Sequence, residues 1–334
     1  MFRSDDIMRN YTVYPNVKYK QNLMLAPKLS GITALNTGCT TTNTCDPAGF
    51  TVAPKVITVS NVSVKQSQCW DEFKDQFIVE SYKNGLNMPD LTGTQLAEVI
   101  INRVRHGIQS DVVRNMWAGN TAAAVADCTY TWADGLWKTL SAGNAINGTT
   151  RLREVTATST AETNLKTVGA AIAGSDAVTL LTEVFDTAPS ELQLIPASEK
   201  RMFVTPNIYN AYYGALTAVS VNGAVDYGHS EAQSGVNYAR LRFRGVELVP
   251  MYEWDVALTA LTGADLPALF TCATAGIQAN QGCIYAAKDN LIIGSNVNDP
   301  DTQLKMFYDE VSENMYIRSN FTMGYQFGWN SLVT

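Results

Sequence analysis

Few side chains in this sequence have the types and spacing that enzyme chemistry needs. The 334 residues include two histidines, His106 and His229, so a histidine-based metal site or catalytic triad would have to use one of them. His229 precedes Ser230 in Gly-His-Ser-Glu-Ala, where Ala232 replaces the final glycine of a Gly-x-Ser-x-Gly nucleophile elbow. This stretch follows a polar loop, whereas the elbow requires a core strand. His106 lies within a predicted helix, where we expect a surface or packing role.

Motifs for metals and cofactors are also missing from the sequence. Neither Gly-x-Gly-x-x-Gly nor Gly-x4-Gly-Lys-Ser/Thr occurs, so no phosphate-binding loop is predicted. None of the six cysteines has a partner at zinc-knuckle spacing. Cys39 and Cys45 flank a threonine-rich loop, and they would form a disulfide in an oxidising setting or stay free thiols in a reducing cytoplasm. We therefore expect no catalytic residue, no cofactor and no metal.

Basic side chains are the polar groups whose spacing does suggest a role. Three arginines alternate with apolar residues in a predicted strand over 239–251: Arg240, Arg242 and Arg244. On a strand they share one face, where like charges repel unless an anion or an acidic neighbour meets them, and a solvated face is the alternative. Four lysines near the amino terminus pose the same question: Lys18, Lys20, Lys55 and Lys65. All seven are candidate contacts between subunits.

Charge is distributed unevenly along the chain. The first 68 residues carry seven basic and three acidic side chains, a formal charge of +4, which leaves −11 on the remainder of a chain of net charge −7. An extended basic segment on an acidic body finds its simplest partner on another acidic body, and identical copies supply one. The net acidity argues against a dedicated nucleic-acid binder, and no apolar run is long enough for a membrane helix.

The elements that position these lysines are predicted to be extended. Residues 1–16 are polar with scattered aromatics and are typical of an arm. Residues 17–35 hold apolar side chains among lysines, and apolar residues alternate with polar ones over 50–64, so both stretches have the composition of strands. With the turn-rich stretch between them, 17–68 is predicted to form a long two-stranded hairpin. A lone hairpin is marginally stable in water, so we expect it to lie on a neighbouring surface. On this interpretation, deleting 17–68 leaves a folded body that does not assemble.

Two further elements have strong patterns. Thr92 and Gln95 form a capping box ahead of apolar residues spaced three and four apart, which predicts a long helix over 92–117. Strict alternation from Met315 to Trp329 predicts a long strand with one buried face. A compact mixed region lies between them, so the predicted fold class is α+β.

The order of these elements resembles a known family. The motifs that carry the resemblance are Cys-Asp-Pro-Ala-Gly at 45–49, the run 62–70, Trp-Ala-Gly-Asn at 117–120, Arg-Met-Phe-Val-Thr-Pro at 201–206, Phe-Arg-Gly-Val-Glu-Leu-Val-Pro at 243–250, and the aromatic C-terminal strand. Over nearly the whole chain they resemble tailed-phage major capsid proteins with the Hong Kong 97 type fold. The closer likeness is to those of crAss-like and related phages of Bacteroides-type hosts.

The resemblance implies a domain organisation. Residues 1–16 would be the N-terminal arm and 17–68 the extended loop. Residues 69–149, with a spine helix at 92–117, and 301–334 would form the peripheral domain. Residues 150–300 would form the axial domain.

The resemblance also implies a structural role in a bacteriophage virion. Subunits would form pentamers and hexamers of an icosahedral capsid around double-stranded DNA, without sequence-specific contact to it. We further expect the hairpin lysines to lie over the acidic spine region of a neighbour. Portal, scaffolding or decoration proteins would be further partners, no membrane would be involved, and assembly would take place in the host bacterial cytoplasm.

Two other functions fit the residues less well. Trp and Tyr platforms would also suit a carbohydrate-binding or adhesion module, and Ser230 would be the nucleophile of a hydrolase.

Overall fold

The computed structural model describes residues 10–25, 53–69, 95–122, 128–140, 172–219, 241–261, 281–296, 304–309, 311, 314–329 and 332–333. Predictions that concern Cys39, Cys45, His229, Ser230 and Arg240 fall outside these residues. The described part is a mixed α+β structure, as the sequence predicts. None of its helices is both long and apolar enough to cross a membrane.

The strands are β1 (Thr12–Tyr14), β2 (Lys20–Leu25), β3 (Ala53–Thr58), β4 (Ser60–Cys69), β5 (Lys200–Val204), β6 (Arg242–Phe243), β7 (Val246–Pro250), β8 (Cys283–Ala287), β9 (Leu291–Ser295), β10 (Lys305–Asp309) and β11 (Asn314–Phe327). The helices are α1 (Gln95–Ala118), α2 (Gly174–Asp186), α3 (Ser190–Leu194), α4 (Pro206–Val219) and α5 (Tyr252–Ala260).

Strand β11 is the centre of the larger sheet. It pairs antiparallel with β4, β10 and β9, and β1 adds to β9 in parallel. The predicted alternation is confirmed, because one set of side chains is buried: Met315, Ile317, Ser319, Phe321, Met323, Tyr325 and Phe327. The opposite side chains at Arg318 and Asn320 are exposed. Period two therefore separates a core face from an outer face along this strand.

The predicted hairpin is confirmed only over its root. Strands β2 and β3 pair antiparallel, with Lys20 opposite Thr58 and Leu25 opposite Ala53. After Val59 the chain leaves this hairpin, and the ten residues of β4 pair with β11 over Met323 to Asn314. The prediction that 17–68 is a separable hairpin is therefore wrong at its C-terminal end. Deleting the whole segment would expose one edge of the central strand.

The long helix is confirmed as α1, whose two halves differ in burial. Its C-terminal half packs Val112, Val113, Met116 and Trp117 into the main core, whereas Val99 in its N-terminal half is 63% exposed. Apolar spacing places these C-terminal residues on one face of the helix, which lies against α5 and the core face of β11.

An aromatic cluster fills the part of the main core next to the C-terminal end of α1. The Trp117 ring lies edge-on to Trp254, and Trp254 in turn contacts Trp137, at centroid distances of 4.9 and 5.4 Å. Tyr11 joins this cluster by stacking on Phe203 at 5.6 Å and by accepting a 3.2 Å hydrogen bond from the Trp117 Nε1–H group. Such buried aromatic contacts stabilise a core beyond the area they bury.

Part of the predicted arm packs into the core of its own subunit. Besides Tyr11, the Asn10 side chain accepts a buried hydrogen bond from Arg201, and β1 pairs with β9. The expectation that residues 1–16 dock as an independent arm is therefore wrong for residues 10–14. The reason is that Tyr11 is a large aromatic with a partner for its hydroxyl group inside the core.

A second, smaller unit contains a four-stranded sheet, called the smaller sheet. Its strand order is β6-β7-β5-β8, and α2 and α4 cover it with Leu181, Ile208 and Tyr212 among the buried residues. The predicted range for this unit, 150–300, includes elements that belong to the larger unit: Trp254 and Leu258 of α5 pack into the main core. Strand β9 also lies inside that range but belongs to the larger sheet, between β1 and β11.

Candidate functional site

The root of the hairpin, where β2 pairs with β3, packs closely against two glycines of the larger sheet. A Cβ atom at Gly324 would overlap the carbonyl oxygen of Thr58 and lie 2.9 Å from the Cα atom of Val59. A Cβ atom at Gly294 would lie 2.9 Å from Ile57. The close approach of β3 therefore depends on glycine at both positions. It buries Ile57 and Val59 in a small apolar cluster of their own.

Lys55 fixes the hairpin root from the other side. Its ammonium group donates a 3.0 Å hydrogen bond to the carbonyl oxygen of Gly328 and lies 3.4 Å from the ring centroid of Phe327. Next to it, the Gln326 amide donates to the carbonyl oxygen of Val56. Burial lowers the pKa of Lys55 to about 8, because desolvation disfavours the ammonium form. The structure thus gives Lys55 partners within its own chain.

The two lysines at the start of β2 are placed differently from Lys55. Lys18 and Lys20 are exposed, and so is Tyr19 between them, at 69%. The Lys20 ammonium group lies 5.4 Å from the Tyr19 ring. This exposed combination of cation and aromatic is available to a partner.

Lys65 lies on the outer face of the larger sheet. It is directly opposite Arg318 of β11, which is in turn directly opposite Lys305 of β10. All three side chains are exposed. Of these three residues, the sequence analysis predicted a role only for Lys65. Arg318 and Lys305 are more than 200 positions away in the chain, and only the strand register brings them beside Lys65.

The predicted arginine face does not exist as a continuous strand. Strand β6 ends at Phe243, and Arg244 and Gly245 form a turn with φ values of 47° and 83° before β7. Arg242 is exposed on the strand, whereas Arg244 leaves it to form an ion pair with Asp186 and to lie over the Phe185 ring. The alternating pattern did not predict this turn. Gly245 after Arg244 is compatible with a tight turn as well as with a strand.

The long helix is not acidic, which corrects a further expectation. Helix α1 carries Glu98 and Asp111 against three arginines: Arg103, Arg105 and Arg114. Arg114 is moreover paired with Glu253 of α5 at 2.7 Å. Lysines of a neighbouring hairpin would find no excess of carboxylates there. The acidic stretch is instead 174–199, which holds five carboxylates and no lysine or arginine.

The residues that could serve a metal site or redox chemistry are scattered in the described part of the chain. The described residues contain no group of three or more His, Cys, Asp and Glu side chains that could hold a metal ion. His106 is exposed on α1. Two cysteines of this part are free thiols, Cys128 exposed and Cys283 half-buried, and burial raises the pKa of the Cys283 thiol.

Comparison with solved structures identifies the fold. A chain of the satellite phage P4 procapsid including size determination (Sid) protein matches with a TM-score of 0.53 and 11% identity, over 99% of this chain and 93% of that chain. The capsid of cyanophage P-SCSP1u gives 0.49 and 14%, over 98% and 86%. The capsid of an empty GTA particle gives 0.48 and 11%, over 100% and 89%. No protein-family model and no curated protein matches the sequence. The chain therefore shares the fold of a phage procapsid subunit.

Proposed function

We propose that the chain is a major capsid protein of a tailed phage, a structural subunit without enzymatic activity. The observation that carries this proposal is the fold match over 99% of this chain and 93% of the procapsid chain. The subunits form pentamers and hexamers of an icosahedral shell with the Hong Kong 97 type fold, which encloses double-stranded DNA. The crAss-like kinship stays a prediction from sequence motifs.

The proposed domains follow from this function with the boundaries adjusted. Residues 1–16 begin as an arm whose root at Tyr11 belongs to the core. The extended loop is the hairpin between Lys20 and Thr58, the peripheral domain contains α1 and the larger sheet including β9, and the axial domain contains the smaller sheet. Portal, scaffolding or decoration proteins would complete the shell, which assembles in the host cytoplasm.

In the proposed assembly mechanism, the hairpin connects two subunits, and its root is held in place on its own subunit. Gly294, Gly324 and Lys55 hold β3 on its own subunit, so the direction in which the hairpin leaves the body is defined. Preorganisation of this kind lowers the entropy lost on association. The distal segment 26–52 then reaches a neighbouring copy, and exposed Lys18, Lys20 and Arg242 add electrostatic attraction to acidic surfaces.

The test is removal of the distal segment alone. Leu25 and Ala53 are opposite each other in the hairpin register, so an Asn-Gly turn can replace 26–52 and close β2 onto β3. We expect this variant to keep the circular dichroism and melting temperature of the wild type, and to sediment as single subunits where the wild type forms shells. Shells of normal size from the variant would refute the bridging role. A wild type that stays small and binds glycans would favour an adhesion module instead.

A further inference from the structure

Three basic side chains form a row across the outer face of the larger sheet. Lys65, Arg318 and Lys305 are opposite one another on β4, β11 and β10. Directly opposed residues on neighbouring strands share a face, and strands lie about 4.8 Å apart, so the row is roughly 10 Å wide. This row is called the cation band below.

The cation band has no counter-ion in the described part of the chain. No ion pair or hydrogen bond joins any of its three side chains to a described residue, although the band lies on a chain of net charge −7. The neighbouring outward positions at Ser63, Ser67 and Asn320 are polar and uncharged. Like charges directly opposite each other destabilise a sheet, so the band is electrostatically unfavourable in an isolated subunit.

One part of the outer face is covered by the chain itself. The hairpin root crosses it at Gly324 and Gly294 and buries Ile57 there. The cation band lies beyond this root, next to Phe307, which is 42% exposed and stacks on Tyr316 at 5.5 Å. Arginine beside exposed aromatic rings is typical of protein–protein interfaces.

A segment of opposite charge exists on the same chain. The stretch 174–199, called the acidic segment, spans α2 and α3 and carries Asp176, Glu183, Asp186, Glu191 and Glu199. Asp186 is paired with Arg244, whereas the other four carboxylates make no ion pair with a described residue. Lys200, which follows directly, is buried and donates to the carbonyl oxygen of Gln193. Leu194 within the segment is 71% exposed, an apolar counterpart to Phe307.

We propose that the cation band of one copy binds the acidic segment of a second copy. The inference rests on the proposed function in that it needs copies to assemble, and it names the surfaces they use. Carboxylates of the acidic segment would neutralise the band, and Leu194 would pack beside Phe307. A basic hairpin is excluded as occupant, because Lys18 and Lys20 would add like charge.

The two surfaces are different, so the contact is heterologous. A heterologous contact joins copies head to tail and closes into a ring when the rotation between them permits. A single pair of surfaces of this kind therefore suffices to relate neighbours around a pentamer or a hexamer.

The first test is zero-length carbodiimide cross-linking, which joins a lysine amine to a carboxylate in direct contact. ¹⁵N-labelled and unlabelled full-length copies are mixed before assembly, so mass spectrometry separates links between copies from links within one. We expect links between copies from Lys65 and Lys305 to Glu183, Glu191 or Glu199. Links only within one copy, or to carboxylates outside 174–199, would overturn the inference.

Charge reversal with rescue is the second test. The variant Lys65→Glu/Lys305→Glu should raise the concentration for half-assembly by about tenfold or more, since several exposed ion pairs are lost and repulsion replaces them. Adding Glu183→Lys/Glu191→Lys should restore assembly. Arg318→Lys, which keeps the charge, is the matched control for Arg318→Gln, and circular dichroism checks the folding of every variant.

The outcomes separate this inference from the proposed function. Wild-type shells with undiminished assembly of the reversed variant would overturn the inference and leave the capsid function standing. A wild type that forms no assembly would overturn both. If the reversed variant loses binding of a short DNA duplex by fluorescence anisotropy while assembling normally, the band binds phosphate and the contact between copies is wrong. Should that variant fail to fold, the cross-links of the wild type still decide.

Discussion

Adding one methyl group at Gly324 should loosen the hairpin root. The Cβ atom of Gly324→Ala would overlap the Thr58 carbonyl oxygen and lie 2.9 Å from the Val59 Cα atom. Both are backbone atoms, so no side-chain rotation relieves the overlap, and β3 must move off the sheet. Overpacking of this kind costs about 1–3 kcal/mol. Because 1.4 kcal/mol is a factor of ten, opening of the root should become roughly 5- to 150-fold more frequent.

Native-state hydrogen exchange measures this effect residue by residue. The amide of Val59, which donates to the carbonyl oxygen of Tyr19, should exchange faster in Gly324→Ala, while amides in the smaller sheet stay unchanged. Gly107→Ala is the matched control, since nothing lies within 4 Å of its Cβ position on the exposed side of α1. It should stabilise the helix by about 1 kcal/mol. An unchanged exchange rate of the Val59 amide would refute the claim that close packing of β3 requires glycine at position 324.

Further predictions concern anchors within one subunit. The pKa of Lys55, lowered to about 8 by burial, means that an open root binds more protons than a closed one between about pH 8 and 10. Protection of the root amides should therefore rise with pH over that range in the wild type and stay flat in Lys55→Met; equal pH profiles would contradict this. Tyr11→Phe should lower the unfolding free energy in urea by about 1–3 kcal/mol, because the buried Trp117 N–H loses its acceptor. No change would mean that this hydrogen bond contributes nothing.

Local pattern was enough to predict several elements. The alternation from Met315 onward gave β11 and its buried face, and three- and four-residue spacing gave α1. The pairing of β2 with β3 was also predictable, because two strand-like stretches flank a turn-rich one. In each case the signal lies within a single element, where periodicity reports burial directly.

The features that were mispredicted depend on contacts between distant residues. Strand β4 has the same alternating composition as β3, so nothing local shows that it leaves the hairpin at Val59 to pair with β11. In the sequence nothing distinguishes Lys55 from the other lysines of the segment. Only the structure shows that it packs on the ring of Phe327. The cation band requires the register of three strands, and the acidity of the spine helix was assumed from net charge where a count of its arginines would have corrected it.

The most direct test of the account is electron cryomicroscopy of particles formed by the purified full-length chain. We predict closed shells built of five- and sixfold rings, in which density for residues 26–52 lies over a neighbouring copy. The acidic segment of one copy should face the cation band of the next. A monodisperse single subunit, or shells in which 26–52 lies on its own copy, would contradict the central claim that assembly proceeds through this segment.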